Sequence, residues 1–156
     1  MTALILDEWL WSDLKLTNGL PKQKESVALL LALQNTPDRL IVVIESPFVK
    51  KFWDLCKTAN DSIQRDAVKI FRSIFFDSSK CLQISRDELP AIPLALQENC
   101  KEEDQYLVQA QHAVPGSIII TTDQPLIKLL NDQSLPCEHR DTWLVDYLQS
   151  RGNESG

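Results

Sequence analysis

Four acids stand where this 156-residue chain could do chemistry. Asp7 closes the apolar run LILD at 4–7, Glu45 ends RLIVVIES at 39–46 but for one serine, and Asp123 closes SIIITTD at 117–123. Asp104 opens the helix-like EEDQYLVQA at 102–110, which feeds the chain into the last of those runs. Short apolar runs that end in acid read as buried strands with carboxylates at their carboxyl ends. In an open α/β sheet the working crevice lies just beyond those ends, so the spacing predicts that the acids share one edge. Carboxylates gathered without matching cations repel one another. A hard divalent ion that prefers oxygen ligands, Mg²⁺ or Mn²⁺, would remove that repulsion.

The elements that must position these acids alternate along the chain. Weaker strands are expected at CLQIS, 81–85, and PCEHR, 136–140. SVALLLALQ at 26–34 is helical and closed by Thr36-Pro37, after a turn at Asn18-Gly19 with Pro21. Ser46-Pro47 has the cap and first-turn proline that start a helix through PFVKKFWDLC. Asp61 or Ser62 caps the next, in which Ile63, Ala67, Ile70, Phe71, Ile74 and Phe75 share one apolar face. Its other face carries Arg65, Lys69 and Arg72 as a basic stripe. The two-proline segment 88–100 reads as a loop or broken helix. A helix from Glu102 stops at Pro115-Gly116, another starts at Pro125, and a last one is capped by Asp141-Thr142 before a polar tail at 151–156. The expected architecture is a three-layer α/β/α domain spanning 1–150, with a central, mostly parallel sheet of about five strands. The strands around Asp7 and Asp123 should be adjacent and interior.

Composition bounds the function. With 44% hydrophobic and 24% charged residues, the chain can bury an ordinary core. A net charge of -6 argues against long-range attraction to nucleic acid or anionic membrane, so any RNA contact must be local. The stretch 50–80 is such a locality, with seven basic residues against four acidic ones. No apolar run reaches membrane-spanning length, and the first residues lack the basic region of a secretory signal. Four scattered cysteines without a C-x-x-C pair suggest reduced thiols and a cytoplasmic location. Four glycines, none in G-x-G-x-x-G, exclude the usual dinucleotide fingerprint.

LILDEWL around Asp7, EEDQYLVQA around Asp104 and IIITTDQPL around Asp123, in this order, resemble the motifs of the PIN-domain family. The resemblance implies a metal-dependent endoribonuclease that directs water in line at an RNA phosphodiester. It implies Asp7 and Asp123 as central Mg²⁺ or Mn²⁺ ligands, Asp104 as a further ligand, and Glu45 as a completing carboxylate. Thr121 or Thr122 would hydrogen-bond Asp123 or a water, while Lys50, Lys51, Arg65, Lys69 and Arg72 would hold the RNA backbone. The family's helix Glu is replaced here, because Lys50 and Lys51 occupy the place where it is expected. That departure keeps a second expectation open, a PIN-like module that binds RNA or a protein without cutting. The resemblance also admits a toxin neutralised by a small antitoxin protein, and a homodimer. A phosphorylated receiver domain fits less well, since the strand ends here are Glu45, Ser85 and Asp123 rather than its Asp and Lys.

Overall fold

The computed structural model describes the backbone over residues 1–155 and the side chains over residues 1–151. Five strands form a single all-parallel sheet: β1 (Ala3–Leu6), β2 (Arg39–Val43), β3 (Cys81–Ile84), β4 (Ile118–Thr121) and β5 (Cys137–His139). Their order is β3-β2-β1-β4-β5. β1 is therefore central. Leu4 pairs with Leu40 on one side and Ile118 on the other, and the register continues through Leu6 opposite Ile120. Leu4, Ile5, Leu6, Ile119 and Ile120 are buried, as strands covered on both faces require. β1 and β4 are adjacent and interior, as their apolar runs predict.

The helices are α1 (Trp9–Leu14), α2 (Leu20–Asn35), α3 (Pro47–Thr58), α4 (Ser62–Phe75), α5 (Leu94–Asn99), α6 (Gln105–Ala113), α7 (Gln124–Asp132) and α8 (Arg140–Ser155). Helices α1 to α4 and α8 pack against one another, while α6 lies on β1, β2 and β4, giving the three-layer α/β/α arrangement. Several boundaries follow the expected local chemistry. Ser46 caps α3 by accepting from the Val49 amide at 3.4 Å, and Asp61 caps α4 by accepting from the Gln64 amide at 2.7 Å. Gly19, at φ +97°, supplies the left-handed turn that starts α2, with Pro21 in its first turn.

Other boundaries differ from expectation. α2 begins at Leu20, a turn and a half before the apolar run that announced it. The segment 88–100 resolves into a short 3-10 turn at Arg86–Glu88, an extended stretch and α5. The helix expected from Glu102 begins with a 3-10 turn and becomes α-helical at Gln105. α8 starts at Arg140, directly after β5, and continues through most of the segment read as a tail. The reason is tertiary. Buried Asp38 accepts hydrogen bonds from Arg151 Nε at 2.9 Å and the Tyr147 hydroxyl at 2.6 Å, which docks the later turns of α8. The last residue of that segment, 156, lies outside the described residues.

The core between α1, α3 and α4 is aromatic. Trp11 meets Phe71 edge-on at 4.7 Å between ring centroids and lies 5.0 Å from Phe48, while Phe52 and Phe71 are 4.7 Å apart. Three faces are locked together there, and α3 and α4 are fixed relative to α1, which follows β1 in the chain.

Candidate active site

Sheet order decides where the site lies. The chain winds from β1 outward to β3 in one direction, then returns to place β4 and β5 on the other side of β1. The connections diverge between β1 and β4, which leaves a crevice beyond their carboxyl ends. Asp7 follows β1 and Asp123 follows β4 by two residues, so each stands at the mouth of that crevice. A cleft of about 540 Å³ opens here, and Asp7, Asp104 and Asp123 all line it.

Each acid is held differently. Asp7 accepts from the Thr121 hydroxyl at 2.8 Å through Oδ2 and from the Glu8 amide at 2.7 Å through Oδ1. Thr121 Oγ1 in turn accepts from the Asp123 amide at 3.1 Å, so one buried hydroxyl ties both strand ends together. This threonine was expected to serve Asp123 or a water. It does bond Asp123, through that residue's amide, while its own proton goes to Asp7. Thr122 is exposed and lines the cleft. Asp123 caps α7, accepting from the Leu126 amide at 3.3 Å, and its other oxygen lies 4.0 Å from the Lys101 ammonium. Asp104 is only 8% exposed and makes no capping hydrogen bond to α6.

The electrostatics match this geometry. Burial, then the neighbouring charges of Asp7, Asp123 and Glu103, push the Asp104 carboxyl up to about 6, with Lys101 opposing. Burial also raises Asp7, against the stabilising bonds from Thr121 and Glu8. Tyr106 on α6 is buried, its hydroxyl has no hydrogen-bond partner, and burial together with Asp7, Glu8 and Asp104 raises its pKa.

Compared with protein-family models, with curated proteins and with solved structures, the chain matches none. The site must therefore be judged on its own residues. Three carboxylates are a hard-oxygen donor set, and the unpartnered Tyr106 hydroxyl feels two of the same acids. Both features fit a divalent cation chemically. As the side chains stand, no group of three or more His, Cys, Asp or Glu among the described residues is arranged to hold a metal ion.

The remaining expected residues separate from the cleft. Glu45 lies beyond β2 but is turned toward the end of β3. Ser85 Oγ donates to its carboxylate at 3.3 and 3.4 Å, and Arg86 Nη1 donates to its main-chain carbonyl at 3.1 Å. It lines a different groove, with Lys50 and Lys51, and not the Asp7 cleft. Glu45 shares the carboxyl edge of the sheet with the other acids, as expected, but only Asp7, Asp104 and Asp123 share one cleft. Lys51 pairs with Glu8 at 3.2 Å, which brings a cation to the rim of the acid cleft. Arg65, Lys69 and Arg72 are exposed on the outer face of α4.

Sequence reasoning missed the opposite wall of the cleft. Arg140, only 2% exposed, donates from Nε to buried Asp13 at 3.0 Å and lies over the Trp9 ring, its Cζ 5.5 Å from the centroid. Asp13 also accepts from Ser26 Oγ at 3.1 Å and Asn18 Nδ2 at 2.8 Å. Asp13 lies in α1 and Arg140 at the start of α8, so no local pattern links them. Asp13 stands in the mostly apolar run WLWSDL, but Arg140 lies among Glu138, His139 and Asp141, so nothing in its own stretch marks it as buried.

Proposed function

We propose that this protein is a metal-dependent endoribonuclease of the PIN type, acting on RNA at the Asp7, Asp104, Asp123 cleft with Mg²⁺ or Mn²⁺. The observation that carries this reading is the convergence of the three acids where β1 and β4 diverge, with the Asp104 carboxyl raised by burial and then by the neighbouring acids. Such an arrangement is costly unless a cation offsets the repulsion. A divalent cation held by these residues would supply positive charge to a phosphodiester and to an attacking water. The chain's own residues do the rest. Thr121 fixes the Asp7 carboxylate by its hydrogen bond, the α7 cap fixes Asp123, and burial keeps bulk water from screening Asp104. Asp104, its carboxyl raised to about 6 without a cation, would give up its proton as the cation binds.

The test is cleavage of an end-labelled single-stranded RNA with Mn²⁺ and with chelator. Wild type should cut only with Mn²⁺. Asp7→Asn and Asp123→Asn should not cut, although each retains the oxygen that accepts the Glu8 or Leu126 amide and should fold normally. Equal cleavage by these variants would overturn the reading.

A second reading, an RNA-binding module that does not cut, is favoured by the position of Glu45. Its carboxylate is engaged by Ser85 outside the cleft, and Lys51 approaches Glu8 where the PIN family has its helix Glu. Intact RNA that is bound in the presence of Mn²⁺ would establish it.

A further inference from the structure

A second groove, of about 860 Å³, runs beside the acid cleft between the end of β2 and α3. Lys50, Trp53 and Lys57 line it from positions i, i+3 and i+7 of α3, so they fall on one helix face. Lys51 and Arg86 complete the cationic lining, opposed by Glu45 and Asp54. Four cations against two acids make this groove positive in a chain whose net charge is -6. Glu45 is already engaged by Ser85, which leaves the lysines facing outward with few local partners.

The aromatic lining is equally specific. Trp53 is 37% exposed, whereas Trp9, Trp11 and Trp143 are buried, so the groove presents the one exposed indole among the described residues. The ring is steadied from below by Phe52, with 4.8 Å between centroids, and the Arg72 guanidinium stands 6.0 Å from its centroid. An exposed indole flanked by cations is a poor surface for water and a good one for a base with its phosphate. The Lys51 to Glu8 contact joins the two sites, since Lys51 lines the groove and Glu8 lines the acid cleft.

We propose that this groove is a single-stranded RNA track, stacking a base on Trp53, holding the backbone with Lys50, Lys57 and Arg86, and leading the strand to the acid cleft. The assignment rests on the ribonuclease reading for its destination, but its binding chemistry is independent of cleavage. It selects single strands because a base can reach the indole only when it is unpaired.

The test uses the whole protein in chelator, so that nothing is cut, titrated with a ten-nucleotide oligouridylate, a duplex RNA and polyglutamate. Affinity is read from the fluorescence anisotropy of end-labelled RNA, which does not require Trp53 to be present, while tryptophan quenching in the wild type reports contact with the one exposed indole among the described residues. The oligouridylate should quench it, and Trp53→Ala should weaken binding about tenfold while Trp53→Phe keeps most of it. Lys50→Gln with Lys57→Gln should lower the log-log salt slope by about 1.4, for two lost phosphate contacts on a single strand. Matching melting curves for the variants would confirm that they fold. Unchanged affinity in Trp53→Ala, or polyglutamate binding as tightly as RNA, would overturn the track, the latter assigning the groove to an acidic protein segment. Mn²⁺-dependent cleavage that is indifferent to Trp53→Ala would sink the track and leave the nuclease. Trp53-dependent binding without any cleavage would sink the nuclease and leave the track.

Discussion

Asp104 is the residue whose environment is least favourable to its charge. Its carboxyl is raised to about 6, above the unfolded value near 4, so the folded protein binds a proton more tightly than the unfolded chain. Metal-free stability should then fall as pH rises through that window, from about 4 to about 6. Asp104→Asn should be more stable than wild type at pH 7, and the difference should vanish below about pH 4, as read from urea midpoints. An Asn variant that is less stable at pH 7 would make Asp104 a structural anchor. The placement of Asp7, Asp104 and Asp123 in one cleft was legible in the sequence because strand ends and helix starts are local features. The direction of Glu45 was not, because it depends on Ser85 and Arg86, which β3 brings alongside only in the folded sheet.

At the scale of elements, α1 and α8 are joined by one buried ion pair. Arg140→Leu should cost about 3–5 kcal/mol, because Asp13 is left charged and unpaired in the interior. Replacing both by Leu should recover most of that loss in denaturant titrations, since a buried pair and an apolar pair are nearly equivalent in stability. A double variant as unstable as the single would show that the surrounding network, Ser26 and Asn18 included, carries the energy. The α4 stripe makes a different prediction. Arg65, Lys69 and Arg72 are exposed, so changing all three to Gln should leave the melting temperature unaltered. Only Arg72 stands beside Trp53, and the salt slope of RNA binding should fall by about 0.7; a fall near two would show that the whole stripe holds the backbone. Helix periodicity revealed the stripe, but it could not say that α3, whose basic residues flank an indole, lies nearer the acid cleft. That proximity comes from the Lys51 to Glu8 contact and from the Trp11 cluster that sets α3 against α1.

Across the whole molecule, strand order matters more than any one element. The all-parallel sheet and its strong strands could be read from apolar runs at 4–7, 39–46 and 117–123. The extension of α8 could not, since a polar segment becomes helical only because Asp38 anchors Tyr147 and Arg151. Placing β4 beside β1 creates the crevice, and the crevice collects three acids whose mutual repulsion the proposed divalent cation would offset. The direct measurement of that claim is a calorimetric titration of Mn²⁺ at pH 6, where Asp104 carries part of a proton. Wild type should show saturable binding with proton release, visible as a heat that changes with the buffer's ionisation enthalpy. Asp7→Asn, Asp104→Asn and Asp123→Asn should each weaken the binding, and Glu45→Gln, which lies outside the cleft, should keep it. No Mn²⁺ binding by the wild type, or binding that survives all three aspartate substitutions, would contradict the account.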